Sequence, residues 1–260
     1  MNREQILQLP SMPAAAPSYP LLPFRFVRRE YMIVIYESDP AAIRAAVPEP
    51  LVPDPSNQVF YEWIRMPDSS GFGDYTESGV VIPCSYRGEP CNFVSQMYLD
   101  DDPPIAAGRE IWGFPKKYAH PKLEVYEDTL TGTLTYAGER VATGTMAYKH
   151  ESLARNPMKT ISSLRKTQVN LKIIPDVDGR PKIAQLVAYN LTDVKVRGSW
   201  SSPARLHLVP HVNAPVADLP VHRVVGGRHF VADLTLPAGR VLVDYIAGSE
   251  RPSAISSDAA

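Results

Sequence analysis

Hydrophobic residues along this chain gather in short segments punctuated by proline, glycine, aspartate and asparagine, which suits a strand-rich fold. Tyr31 to Tyr36 (YMIVIY) is apolar and β-branched, the pattern of a buried strand. Val59 to Met66 and Tyr75 to Tyr86 predict two more, separated by the loop Ser69 to Gly73, and Cys91 to Leu99 returns after a turn at Arg87-Gly88-Glu89-Pro90. Lys122 to Tyr126, Thr129 to Tyr136 and Glu139 to Tyr148 predict a meander that turns at Ala137-Gly138. In its middle strand Thr129, Thr131, Thr133 and Thr135 alternate with Leu130 and Leu134, which is half-buried patterning. Further strands are predicted at Val169 to Ile174, Lys182 to Val196, Ala204 to Leu208, Arg228 to Leu236 and Val241 to Tyr245, with a hairpin signal at Asp178-Gly179. Asn190 to Ser202 is polar and reads either as a continuing strand or as a loop.

Helical signals are few and short. Arg3 to Leu9 suits one or two turns. Asp39-Pro40 pairs a cap residue with proline at the first helical position and predicts a helix over Pro40 to Val47; Asp102-Pro103 opens another that runs to about Glu110. From Pro10 to Pro23 the chain is proline-rich, an extended arm expected to lay Tyr19, Leu21 and Leu22 on the protein's own body or on a neighbouring subunit. No internal repeat or linker divides the rest. The expected organisation is an arm at 1–23, one mainly β domain at 24–247 (β-rich α+β, a barrel or curled sheet of antiparallel strands with a few short helices), and a polar, disordered tail at 248–260.

Composition narrows the function classes. The 26 prolines in 260 residues are about twice the usual ~5%, in keeping with short segments. A net charge of −1 and the lack of a basic stripe remove the field that would draw in nucleic acid or an anionic membrane. No apolar run approaches the ~18–20 residues of a membrane span, and Met1 to Pro10 is not a signal peptide. Cys84 and Cys91 either face each other across a hairpin or are free thiols; two cysteines in a chain this long point to free thiols in a reducing, cytoplasmic setting.

Several chemical motifs fall away. Gly71-Phe72-Gly73 lacks the third glycine and the strand-to-helix context of a dinucleotide site. His207 and His211 sit on a strand followed by Pro210 with no acidic ligand near, so no metal site is expected. The stretch that keeps attention is Gly108 to Lys117 (GREIWGFPKK), two lysines directly behind an apolar run. Such a pair reads either as solvated surface charge or as a place where apolar surroundings and a like charge favour an uncharged, nucleophilic amine. Glu62 among Phe60, Tyr61, Trp63 and Ile64, Glu77 at the front of a long apolar strand, and Arg29 just before YMIVIY pose the same choice. They are polar-face charges, or they are collected around one buried lysine.

From about Tyr19 to Tyr245 the chain closely resembles the acetoacetate decarboxylase family. The resemblance rests on Arg29-Glu30-Tyr31, Val47-Pro48-Glu49-Pro50-Leu51, Tyr75-Thr76-Glu77-Ser78-Gly79, Met97-Tyr98-Leu99-Asp100, Gly108-Arg109-Glu110, Pro115-Lys116-Lys117, Val141-Ala142-Thr143, Tyr148-Lys149-His150 and Leu171-Lys172-Ile173-Ile174-Pro175, in that order. It implies that Lys116 is a Schiff-base lysine and that Glu77, Glu62 and Arg29 are the polar residues of the active site. Phe26, Met97 and Phe114 carry over as apolar lining, with Lys117 beside them; relatives often have tyrosine where this chain has Phe114. The implied fold is a cone-shaped antiparallel β-barrel with surrounding sheet, in a homo-oligomer, often a dodecamer. The implied activity is decarboxylation of a β-keto acid, acetoacetate, to acetone and CO2 through a ketiminium and an enamine, without metal or added cofactor. Acetoacetate decarboxylase is itself a standing example of a lysine activated by desolvation or by a neighbouring cation.

The alternation of side chains along an extended segment turns Lys117 away from Lys116. Burial is therefore expected to be the first cause of a neutral Lys116 and Lys117 the second. Two other readings stay open at this level: a Schiff-base aldolase or dehydratase acting on another keto acid, and a non-catalytic barrel that binds a small molecule.

Overall fold

The computed structural model describes residues 1–154 and 157–250. The short apolar segments become long strands: β1 (Phe24–Glu37), β2 (Val52–Pro53), β3 (Gln58–Ser69), β4 (Gly73–Tyr86), β5 (Glu89–Leu99) and the short β6 (Lys116–Tyr118). The meander is β7 (His120–Tyr126), β8 (Thr129–Tyr136) and β9 (Glu139–Ala147), followed by β10 (Glu151–Ser152) and β11 (Gln168–Pro175). The last third adds β12 (Pro181–Tyr189), β13 (Thr192–Ser202), β14 (Ala204–Leu208), β15 (Arg223–Leu236), β16 (Arg240–Asp244) and β17 (Ser249–Glu250). The polar segment after Asn190 is thus a strand, and the chain beyond Ala247 still pairs with Val243 and Asp244 before 251–260, which lie outside the described residues.

Among the described residues, four short α-helices accompany these strands. In α1 (Arg3–Leu7), Asn2 and Gln5 form a reciprocal capping box. In α2 (Pro40–Ala46), the Asp39 carboxylate accepts the Ala42 N–H at 2.8 Å. The third, α3 (Asp102–Ala107), stops before Glu110 because residues Gly108–Trp112 widen into a π-helical turn. The fourth, α4 (Pro157–Arg165), carries no periodic signal strong enough to predict it. Along the arm the chain bends rather than extends: Tyr19 is buried and Leu22 partly so on the body, while Leu21 is exposed.

A large sheet runs β10-β13-β15-β1-β3-β4-β5-β11-β12-β16-β17, with β2 on β4 and β6 on β5; a second sheet runs β14-β9-β8-β7. The mainly β class is as expected. A closed barrel is not what forms: among the described residues both sheets have open ends, and β5 pairs in parallel with both β6 and β11. Those parallel pairs arise because β6 and β11 each return to β5 through helical crossovers rather than hairpins.

The large sheet separates two apolar clusters. On one face Met32, Val34, Tyr36, Tyr61, Trp63, Val80 and Ile82 meet Leu123, Leu130, Leu134 and Met146 of the smaller sheet. Cys84 and Cys91 pair across β4 and β5 on this side, buried and as free thiols. On the other face Phe26, Tyr31, Ile64, Tyr75, Val81, Val94, Met97 and Phe230 surround a cavity of about 330 Å³.

Candidate active site

Ladder register arranges the cavity wall in rungs. The first full rung is Tyr31, Ile64 and Glu77; the next is Ile33, Glu62, Gly79 and Met97, with Lys116 beside Met97; the third is Ile35, Phe60, Val81 and Val94. Two irregularities aim side chains into this wall. Pairing of β1 with β15 shifts by one residue between Phe26 and Arg29, where Arg28 has φ +57°, so Phe26 and Arg29 face the cavity although they are three apart. The Arg28 N–H is held at 2.9 Å by Asp233, itself clamped by Arg197. A second shift, between Val80 and Val81, lets Val94 and Met97 share the same wall.

Lys116 is delivered from the opposite side. After the π-helical turn, Gly113 takes the left-handed conformation (φ +76°); an added Cβ there would lie 2.4 Å from the Lys172 backbone. Gly108 leaves the space that the lysine chain fills, since a Cβ would lie 2.7 Å from its Cδ. The Arg109 guanidinium donates to the Lys116 carbonyl at 3.0 Å and fixes the short strand. Lys116 is only 6% exposed, and its Nζ lies 5.2 Å from the centre of the Phe114 ring.

Nζ donates to the Pro104 carbonyl at 3.0 Å and stands 2.6 Å from Glu77 Oε1. The second contact is a close, charge-assisted pair between amine and carboxylate. Arg29 Nη2 lies 4.0 Å from Glu77 Oε2, and its guanidinium sits 5.1 Å and 4.8 Å from the ring centres of Phe26 and Tyr31. Arg29 Nε and the Tyr31 hydroxyl are buried without partners. Burial lowers the pKa of the Lys116 amine; Glu77 works against that shift and Arg29 adds to it, with the net change downward. Burial also pushes the Glu62 carboxyl up to about 7, opposed by Arg29 and reinforced by Glu77. An amine whose pKa burial lowers, a carboxyl poised near neutrality and a guanidinium with an unpartnered Nε therefore share one apolar chamber.

The acetoacetate decarboxylase family model matches residues 10–246. The chain belongs to the acetoacetate decarboxylase family. An acetoacetate decarboxylase of Acidiphilium cryptum is 56% identical over 238 residues, covering 91% of this chain and 96% of that one. One of Chromobacterium violaceum is 53% identical over 248 residues, covering 95% and 99%. The crystal structure of acetoacetate decarboxylase from Legionella pneumophila superposes with a TM-score of 0.87 at 47% identity, covering 93% of this chain and 96% of that one.

Within this family member, Lys116, Glu77, Glu62, Arg29, Phe26, Met97 and Phe114 all line the one cavity. Lys117 does not. The alternation of β6 turns it outward, where it is exposed, contacts the Asn213 carbonyl and lies over Tyr136. The second cation acting on the amine is therefore Arg29, across the sheet, and not the sequence neighbour. Sequence reading also missed Tyr189, Asn92 and the Leu164 side of α4, which complete the chamber. No local pattern marks them, because their place depends on strands β11 and β12 closing over the far end. Among the described residues no group of His, Cys, Asp and Glu could hold a metal ion.

Proposed function

We propose that this protein decarboxylates acetoacetate to acetone and CO2 through an imine on Lys116. The observation that carries the reading is the Lys116 amine: buried, apolar-walled, lowered in pKa, and flanked by Glu77 and Arg29. An unperturbed lysine is neutral in only about one molecule in 2,500 at pH 7, so a depressed amine pKa is what makes attack on a ketone feasible.

Neutral Nζ adds to the ketone carbon, and loss of water gives a protonated imine. Glu77, 2.6 Å away, is placed to take the proton released from nitrogen and return it to the departing hydroxyl. Arg29 Nε, buried without an acceptor, receives the substrate carboxylate. The C–C bond electrons then move into the iminium, releasing CO2 and leaving an enamine. In a dry chamber the conversion of a carboxylate to neutral CO2 runs with the surroundings rather than against them. Glu62, near pH 7 about half protonated, supplies the proton that the enamine carbon needs, and water hydrolyses the acetone imine. One substrate anion and one proton yield acetone and CO2, with the imine itself as electron sink.

The test is borohydride reduction in the presence of acetoacetate, followed by peptide mass analysis and assay of acetone. An isopropyl adduct on Lys116 together with acetone is expected. An adduct that retains the substrate carboxylate, without acetone, would instead support aldolase-type chemistry, and no adduct at all would leave only binding.

A further inference from the structure

The guanidinium in the chamber is held from outside it. Along β1, Tyr31, Ile33 and Ile35 face the cavity at alternate positions, and Arg29 continues that phase. Phe26 does not belong to it; alternation would offer Val27 instead. Phe26 lines the cavity because two residues of β1, Val27 and Arg28, stand opposite one residue of β15, Asp233. This bulge needs Arg28 at φ +57°, a left-handed conformation that disfavours a side chain. Its product is the apolar bed of Arg29, whose guanidinium lies 5.1 Å from the centre of the Phe26 ring and 4.8 Å from that of Tyr31. Asp233 offsets the strain. Its neighbours Ala232 and Leu234 belong to the cavity-side cluster, so its carboxylate stands on the other face of the sheet. There Oδ1 accepts the Arg28 N–H at 2.9 Å and Arg197 Nε at 2.7 Å, while Oδ2 accepts Arg197 Nη2 at 2.6 Å. Arg197 is itself the extra residue of a second bulge, between Val196 and Gly198 on β13. Asp233 thus ties two bulged strands, β1 and β13, from the strand between them. Lys195 is the other cation that acts on it. None of Arg28, Lys195, Arg197 and Asp233 lines the chamber.

We infer that Asp233, clamped by Arg197, is a positioning residue for decarboxylation. From the far face of the sheet it pins the bulge that lays Phe26 against Arg29, and so holds the guanidinium for the substrate carboxylate and the Lys116 amine. The inference rests on the imine reading above, which gives Arg29 both tasks. The charges that act on the amine are Glu77, Arg29 and Asp101, and of these Arg29 alone disfavours the ammonium. A guanidinium released from its apolar bed takes up water and acts less on amine and substrate alike.

The experiment follows kcat, KM and the acid limb of kcat/KM for acetoacetate in the full chain and in Asp233→Ala, Arg197→Ala, Arg29→Gln and the double variant Asp233→Ala/Arg29→Gln. Asp233→Ala should raise KM about ten-fold or more and move the limb to higher pH, the direction expected of Arg29→Gln. The double variant should sit where Arg29→Gln alone does, because Asp233 acts through that guanidinium. Arg197→Ala removes the partly exposed member of the pair. It should move KM and the limb the same way by less, which keeps the test decisive where Asp233→Ala does not fold. KM and limb unmoved in either alanine variant would overturn the inference and leave the imine reading intact. A further upward displacement in the double variant would overturn it too, as the mark of a generally loosened sheet. Absence of acetone from the unsubstituted chain would strike the imine reading, and this inference with it.

Discussion

The two faces of the large sheet are built from the same strands and serve opposite ends. On the face toward the smaller sheet, Trp63 lies over Gly132 and Gly144, which are paired across β8 and β9; a Cβ on either would come within 2.3 Å and 2.5 Å of the indole. The ring's one polar atom donates to the Thr133 carbonyl at 3.0 Å. The indole is closely packed and its polar atom satisfied. On the cavity face, one residue away in register, Arg29 Nε, Tyr31 Oη and Asn92 Oδ1 are buried without hydrogen-bond partners. Unsatisfied buried polar atoms cost stability, and three of them gathered in the wall of the Lys116 cavity mark where the fold gives up stability for chemistry. Substitutions on the two faces should therefore separate cleanly into losses of stability and losses of turnover.

The largest separation is expected at Lys116. Lys116→Met should reduce decarboxylation by about 10⁴-fold or more, while the melting temperature changes little, because hydrocarbon of similar length relieves the burial of the amine as the Glu77 carboxylate loses one partner and keeps Arg29 at 4.0 Å. A fall in melting temperature comparable to that of a core substitution would mean that the ion pair with Glu77 supports the fold. The converse case is Gly132→Ala. Forcing a methyl into the Trp63 ring should cost about 3 kcal/mol by denaturant unfolding, with kcat per folded molecule unaltered. Loss of turnover in the folded fraction would show that the two faces are coupled through the sheet.

Much of the stable face was legible from sequence, and less of the reactive one. Continuous apolar runs and period-two patterning locate β1, β3, β4, β5 and the meander, since strands buried on both faces are apolar throughout and half-buried ones alternate, and the same alternation correctly turns Lys117 away from Lys116. What alternation cannot reveal is where it breaks. The shifts beside Arg28 and after Val94 are set by neighbouring strands and by Asp233, not by the residues that bulge, so the joint exposure of Phe26 with Arg29, or Val94 with Met97, has no local signature. The Pro104 carbonyl that receives the Lys116 hydrogen bond is backbone, which sequence patterning does not mark. The expected closed barrel failed for a related reason: closure depends on the last strand finding the first, and here β16 pairs with β12 and β17.

A smaller effect tests whether the reactive face carries a standing electrostatic cost. The Glu62 carboxyl is raised to about 7 in the folded protein from 4.5. Between these values the folded state binds the more protons, so the stability that Glu62 permits is complete below pH 4.5 and is lost as pH rises toward 7. Glu62→Gln should accordingly stabilise the protein at pH 8 by about 2 kcal/mol, allowing for the water that reaches a half-buried group. At pH 4.5 the gain should vanish. A gain that did not depend on pH would point to packing instead of ionisation.

The smallest effect is a displacement in pH, and it asks which charges set the amine. The acid limb of kcat/KM, or of imine formation measured by borohydride trapping, follows ionisation of Lys116 in the free enzyme. Glu77 favours the ammonium and Arg29 disfavours it. Glu77→Gln should therefore move the limb to lower pH even though turnover falls, and Arg29→Gln should move it to higher pH. Lys117→Ala should leave it in place, because that ammonium is exposed, directed at Asn213 and separated from the cavity by the strand itself. Opposite displacements in the first two variants cannot arise from a general loosening of the site, which would expose the amine and raise its pKa in both. A displacement with Lys117→Ala as large as that with Arg29→Gln would return the second cation to the lysine pair, and with it the role that sequence adjacency suggests.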